Sequence, residues 1–407
     1  MRALLRFLRF ILRVQGFVVE GAEIRREDEA VVIRGRRRSG TQPHCPVHRD
    51  EVLGGMLKTH EVLWRHLDAI DSRVYIECAL REGRCRKCDG RRIERVPWAT
   101  GVARHTRSFD RHVGSLVQVA DKSATARMFG ICWRTVGRIV ERVVKECLPR
   151  DLLDGLEAIG VDETSYKRGH RYLTVVTDLM KSRVVWIGEG KSAETLRQFF
   201  AALGAERAQN LVLVAMDMSE AYVGVVKEQA PEAEIVFDRF HVVKLLLEAV
   251  DEVRREECRG VSGEERRALK HTRFALLRNP KHLSPRDRAA IARVEATNRR
   301  LTRAYQLRVD MEELWKLRSD TKAHEFLMRW TRSALQSRLE PLRKFARTVR
   351  THLDGIVMFV RSYGVTNAVA EGTNNKIKLL IHKAYGFHSV TALMSMIMLC
   401  CTGIVLP

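Results

Sequence analysis

The stretch LEAIGVDETSYKRGHRYLTVVTDL, Leu156–Leu179, sets two carboxylates, Asp162 and Glu163, behind a short apolar run. A basic turn holding His170 comes next, then a second apolar run. Successive strand residues point to opposite faces, so Asp162 and Glu163 cannot both line one site from a regular strand. Residues 156–240 keep the same rhythm. β-rich runs (RYLTVVTDL, RVVWIGEG, LVLVAMD, AEIVFD) alternate with runs of helical period (SAETLRQFFAALG, EAYVGVVKEQA). That alternation marks an α/β domain.

Two more acids close strands. Asp217 follows an apolar run and precedes a helical one; Asp238 ends AEIVFD, with Arg239 and His241 behind it. One acid after a strand is ordinarily a turn former or a helix N-cap. Several at the carboxyl ends of strands lie where open α/β sheets build sites. Carboxylates gathered there repel unless a hard cation neutralises them. Two such cations, Mg²⁺ with waters and phosphate oxygens completing their shells, suit an in-line displacement at phosphorus. A third acid comes from TNAVAEGTNNKIKLLIHKAYGF, residues 366–387. On a helix there, Glu371, Asn375 and Lys378 share one face at i, i+4 and i+7, which is otherwise the pattern of a solvated face. The chain has no Gly-rich phosphate loop of the G-x-x-x-x-G-K-S/T kind.

The whole chain suits a polyanionic partner. Lys and Arg total 72 against 50 Asp and Glu, a net charge of +22 and a pI near 10.0. Such a balance points to nucleic acid. With 407 residues, 45% of them hydrophobic, several packed domains are expected and wholesale disorder is not. No apolar run is long enough to span a bilayer, so no membrane partner is expected. The start, MRALLRFLRFILRVQGFVV, is interrupted by Arg2, Arg6, Arg9 and Arg13. It lacks the unbroken core of a signal peptide and reads as an amphipathic segment, assigned to residues 1–38. Residues 20–37 within it read as a strand pair. The nine scattered Cys read as reduced thiols, hence a cytoplasmic protein.

Four of the candidate metal ligands are clustered. HCPVHRD supplies Cys45 and His48; GRCRKCDG supplies Cys85 and Cys88. Both pairs have the x-x spacing of a metal knuckle, and β-like runs lie between them, so residues 39–98 read as a zinc ribbon with a structural Zn²⁺. His44, His60 and His66 are alternatives for the fourth ligand. Residues 105–150 are helical by period. DKSATARMFGICWRTVGRIVERVV, Asp121–Val144, places Ala126 at a close crossing, Gly130 at a turn, and Val136 and Ile139 facing back. That is helix-turn-helix spacing. Its second helix would offer Trp133, Arg134, Arg138 and Arg142 to a major groove and its phosphates.

Taken together, GVDETSYKRGHRYLTVVTDL, AMDMSEAY, FDRFHVVKLL and AEGTNNKIKLLIHKAYGF resemble the DDE transposases of bacterial insertion sequences, most closely the ISL-three group. The order of ribbon, helix-turn-helix and catalytic domain fits, and the resemblance covers nearly the whole chain. It implies an RNase H-like catalytic domain, residues 155–245 plus 362–395, interrupted by an all-helical insert, residues 246–361. It implies catalytic and metal-binding roles for Asp162, Asp217 and Glu371, with two Mg²⁺ (or Mn²⁺) per site. Glu163 becomes a neighbour pointing away, and Asp238, Arg239 and His241 take supporting roles. Lys376 and Lys378, with Asn375, would meet DNA. The implied partners are double-stranded DNA, as terminal inverted repeats and as target, and a second copy of the chain in a dimer. The resemblance also implies a bacterial, nucleoid-associated location. One departure is His48, where the family usually has a second knuckle Cys. The competing function is a DNA-binding regulator that has lost the chemistry.

Overall fold

The computed structural model describes residues 17–100, 103–167, 169–362, 368–384 and 386–407. The amphipathic segment expected at the N-terminus falls largely outside them, at residues 1–16. The chain forms two compact units: residues 1–149 with 387–407, and residues 150–386.

In the first unit, β1 (Phe17–Arg25) and β2 (Ala30–Arg37) form the expected antiparallel pair. The pair does not stand apart from the later strands. β2 runs parallel to β4 (Arg73–Cys85), and β4 also pairs with β3 (Gly54–Arg65) and β5 (Gly90–Ile93). A boundary at residue 38 would therefore cut one hydrogen-bonded sheet. Alternate residues of β4, Val74, Ile76, Cys78 and Leu80, are buried, as period-two patterning requires. Trp64 and Trp98 close over them edge to face, with ring centroids 5.4 Å apart.

Three helices come next in the chain: α1 (Arg107–Val119), α2 (Lys122–Phe129) and α3 (Trp133–Cys147). Asp121 caps α2 by accepting from the Ser123 and Ala124 amides. Gly130 ends it in the left-handed region at φ 60°, where a glycine has no Cβ penalty. Val136, Ile139, Val140 and Val143 bury one face of α3, each contributing about 1.5–3 kcal/mol if it would otherwise be exposed. α15 (Val390–Cys401) packs on α1 and α3. Gln118 of α1 donates to the carbonyls of Leu399 and Ile404 at 2.9 Å each, meeting acceptors that a helix end leaves open. Residues 387–395, assigned by sequence to the catalytic segment, thus pack with the helix-turn-helix.

The second unit is built on a five-stranded sheet of order β10-β9-β6-β7-β8. β6 (Ala158–Lys167), β7 (Arg171–Asp178) and β8 (Arg183–Glu189) form an antiparallel meander. β9 (Leu213–Met216) and β10 (Glu234–Phe237) run parallel to β6. α4 (Ala193–Leu203) and α5 (Glu220–Gln229) supply the crossovers. The central strand β6 is buried at Ile159, Gly160 and Val161, consistent with a run apolar on both faces.

From α6 (Arg239–Gly260) the chain is helical through α7 (Gly263–His271), α8 (Arg273–Leu277), α9 (Pro285–Thr297), α10 (Arg299–Met311), α11 (Asp320–Gln336), α12 (Glu340–Thr351) and α13 (Leu353–Arg361). Trp330 is buried here, its indole donating to the Leu307 carbonyl at 2.9 Å. α14 (Ala368–Lys383) then packs along β6. No helix among the described residues is long and apolar enough to cross a membrane.

The packing makes two contacts testable. A Cβ at Gly355 of α13 would overlap the Phe237 ring and sit 3.1 Å from the Ile235 carbonyl oxygen. Gly355→Ala should therefore cost about 1–3 kcal/mol, read as a lowered Tm; an unchanged Tm would refute this close contact. His105 stacks on Phe109 with ring centroids 5.0 Å apart. Burial first, then Arg142 and Arg65, push its pKa down to about 4. The folded state therefore resists protonating it, and stability is lost as pH falls from 6.5 towards about 4. His105→Gln should flatten the melting temperature over that interval, and a variant as acid-sensitive as wild type would refute the assignment.

Candidate functional site

Asp162 lies midway along β6, not at the strand end that the apolar run before it suggested, because β6 stays paired with β7 as far as Lys167. The short β9 beside it ends at Met216 and so brings Asp217 to the same level. Asp162 points from β6, and Asp217 follows β9 directly, its Oδ1 accepting from the Ser219 amide at 3.1 Å ahead of α5. Burial is the main reason the Asp162 carboxyl is pushed up; the Asp217 charge adds to it. The Glu163 amide, His241 and Asn374 act in the opposite direction. The amide hydrogen bond is 2.7 Å, and Asn374 Nδ2 donates to Asp162 Oδ2, also at 2.7 Å. Asn374 is 5% exposed and comes from α14. Glu371 precedes it by one helical turn and is exposed, as are Asn375, Lys376 and Lys378.

Sequence reading misses Asn374, because it selects the i, i+4, i+7 face of this helix. The i, i+3 relation of Glu371 to Asn374 is the available signal. Glu163 points to the other face of β6, as expected, yet it is not remote. Burial, then Asp217, push its carboxyl up to about 7, while Lys191 and a hydrogen bond from Tyr222 oppose the shift. Tyr222 in turn meets Thr174 at 2.8 Å, and Thr174 donates to the Gly190 carbonyl at 2.8 Å.

The supporting residues separate. Asp238 is 5% exposed and accepts from the Phe240 amide at 3.0 Å as the N-cap of α6, the ordinary role of an acid in that position. Arg239 turns to Glu312 at 3.3 Å and lies over the Trp315 ring. Of the three, only His241 acts electrostatically on Asp162.

Cys45, His48, Cys85 and Cys88 converge with their ligand atoms all within 4.8 Å of one another. Cys45 and Cys88 sulfurs are 3.7 Å apart, and His48 Nδ1 lies 3.7 Å from Cys85 and 3.3 Å from Cys88. Ligands about 2.3 Å from a shared tetrahedral centre stand about 3.8 Å apart, so the set fits Zn²⁺. Burial raises the Cys45 thiol, but hydrogen bonds from the His48 and Val47 amides and from Cys85 and Cys88 together outweigh it, and the net shift is downward, towards thiolate. The other histidines are engaged or elsewhere: His60 pairs with Glu82 at 2.7 Å and His66 with Thr106 at 2.8 Å. His44 lines up by its backbone opposite Val52. Among the described residues no other group of three His, Cys, Asp or Glu closes this tightly, the three catalytic candidates included.

On the helix-turn-helix, Arg134 and Arg138 are exposed on α3. Trp133 is 46% exposed, with Lys122 and Arg134 over its ring and His388 beside it. Arg142 departs from expectation. It makes a two-pronged bond to Asp110 of α1, at 2.9 and 3.0 Å, and so braces two helices rather than facing outward.

The family that the chain matches indicates a DNA-processing enzyme of the DDE type. Residues 159–397 match the family described as "Transposase", and residues 94–144 match the "Helix-turn-helix domain of transposase family ISL3". The chain belongs to this family of insertion-sequence transposases. It is similar to the transposase for insertion sequence element IS1557 of Mycobacterium tuberculosis, 36% identical over 364 residues, 84% of this chain and 81% of that one. The transposase for insertion sequence element IS1001 of Bordetella parapertussis is 32% identical over 326 residues, 79% of this chain and 80% of its own length.

The ligand geometry predicts about one zinc per chain by elemental analysis, held tetrahedrally. Cys85→Ser should lose it and lower the Tm of the full chain. A wild-type protein from zinc-replete medium with background zinc would refute the knuckle.

Proposed function

We propose that this transposase binds the terminal inverted repeats of an insertion sequence and catalyses metal-dependent DNA strand cleavage and strand transfer. The observation that carries the reading is the meeting of Asp162, midway along β6, with Asp217, just past the end of the adjacent β9, and Asn374 fastening the Glu371 helix to Asp162. The sheet order, a three-strand meander with two parallel strands added beside β6, supports an RNase H-like domain. The helices between α6 and α14 are then its insert.

Asp162, Asp217 and Glu371 would hold two Mg²⁺ (or Mn²⁺) ions. The donor set fits: three hard oxygen ligands, with Asp217 close enough to Asp162 to raise its proton affinity. When bound, such ions supply charge stabilisation to an in-line displacement at phosphorus. The chain's own groups position. Asn374 holds Oδ2 of Asp162 and the Glu163 amide holds Oδ1, which orients the carboxylate while each oxygen keeps a lone pair for the site. His241 adds positive potential when protonated. Asn375, Lys376 and Lys378 present an amide and two cations to the phosphodiester. Hydrolysis at the element's end breaks a P–O bond and leaves a 3′-OH. That hydroxyl then displaces a strand of target DNA, one P–O bond exchanged for another, and no covalent enzyme intermediate is needed. Arg134 and Arg138, with Trp133, read the repeats from the major groove. Joining two ends to one target calls for two copies of the chain.

The test is strand cleavage on duplexes carrying the element's ends. Asp162→Asn should abolish Mg²⁺-dependent nicking. Asn374→Ala should raise the Mg²⁺ needed for half-maximal cutting by about 10–100-fold, as the loss of a ligand's orienting partner does. End binding with no cutting by wild type would favour a regulator. Equal cutting by wild type and Asp162→Asn would remove that carboxylate from the site.

A further inference from the structure

The first unit carries a groove of about 380 Å³ beside the metal knuckle. Its floor is apolar and buried: Trp64, Leu80 and Val96. Its walls carry Arg49, Arg91, Arg92, Arg95, Arg104 and Arg107. Arg107 is paired with Glu146 at 3.5 Å. Among the described residues, the other five have no carboxylate within the 4.0 Å of an ion pair, although 50 acids are available in the chain. The one acid in the lining, Glu94, is buried and already engaged by Arg37 and Arg81. Burial pushes the Arg95 guanidinium down, and Arg49 and Arg107 push it further; Asp50, too far to pair with it, opposes them without reversing the shift. Mutual repulsion is therefore present in the free protein and would be relieved by an anion.

The track continues. Arg104 also lines an adjoining hollow of about 260 Å³ with Arg65, Arg73 and Gly130. Arg65 is tied to Asp68, but Arg73 has no ion-pair partner among the described residues and reaches over Gly130, the turn of the helix-turn-helix. Unpaired guanidiniums thus run from the knuckle to the turn that presents α3. Cations on an edge strand such as β5 can serve merely to block edge pairing. That accounts for Arg91 and Arg92 but not for Arg49, Arg95, Arg104 and Arg73, which lie off it.

We infer that this track is a phosphate clamp for duplex DNA, which lets the knuckle sheet and the recognition helix hold one continuous duplex. The inference rests on the transposase reading only in taking DNA as the polyanion. The clamp makes no base contacts. It adds affinity and register without sequence preference, since phosphate contacts position and base contacts specify.

Counterion release supplies the measurement. Each phosphate contact adds about 0.9 to the slope of log K against log salt for duplex DNA. Binding would be followed by fluorescence anisotropy on the full chain. The probes are a duplex from the element's end, a shuffled duplex of equal length, and a single-stranded RNA. The triple variant Arg49→Gln/Arg95→Gln/Arg104→Gln should lower the slope by about 2–3 and weaken both duplexes by the same factor. The corresponding triple Lys variant should keep the slope. Arg49→Gln alone, exposed and without a hydrogen-bond partner, should lower it by about 0.9 and carries the test if the triple misfolds. A wild-type slope in both Gln variants overturns the clamp. So does a loss confined to the end duplex, tighter binding of RNA than of duplex, or no duplex binding by wild type. Cleavage keeps the two readings apart. A wild type that shows the clamp's salt response yet never cuts sinks the catalytic reading alone, and one that cuts while the Gln variants keep its slope sinks the clamp alone.

Discussion

A single hydrogen bond, from Asn374 to Asp162, joins residues 212 apart in sequence. It faces a difficulty inherent in the sheet. β6 is the central strand, and midway along it stands an acid whose burial and whose neighbour Asp217 both disfavour the charge. An amide donor on one oxygen offsets part of that cost. Because the donor sits on α14, the same bond fixes where Glu371 is carried. The long helical segment between α6 and α14 can then be large without loosening the site. Its ends are secured by β10, on which Gly355 of α13 rests, and by β6.

The N-terminal unit solves a different problem. A five-stranded sheet and three short helices have limited apolar surface to bury. Three devices add to it: four convergent ligands at the knuckle, the forked Arg142–Asp110 bond between α1 and α3, and the return of α15 across both helices. The last makes the unit discontinuous in sequence. α15 is apolar on most of its surface, with Leu393, Met396, Ile397 and Leu399 buried, so it needed a partner with an open face. The helix-turn-helix provided one.

Much of this is legible from the residues alone because it is local. Period-two runs predict β6 to β10, the glycine at 130 predicts the turn, and x-x spacing pairs Cys45 with His48 and Cys85 with Cys88. Two expectations fail for non-local reasons. Arg142 has the periodicity of an exposed face, but Asp110 lies 32 residues earlier and captures it. The strand pair read at residues 20–37 forms, but the boundary drawn at residue 38 does not hold, because β4 arrives to extend the same sheet.

The sequence by itself determined the order of modules, the charge that selects a polyanion, and the identities of the acids and thiols, since these depend on composition and short-range spacing. The tertiary structure decided which neighbours each residue meets. It made Asp238 a helix cap, gave Asn374 rather than Asn375 to Asp162, drew Glu163 into the field of Asp217, and lined unpaired arginines along one track. Those outcomes depend on burial and on distances between segments far apart in the chain, and no local pattern encodes either.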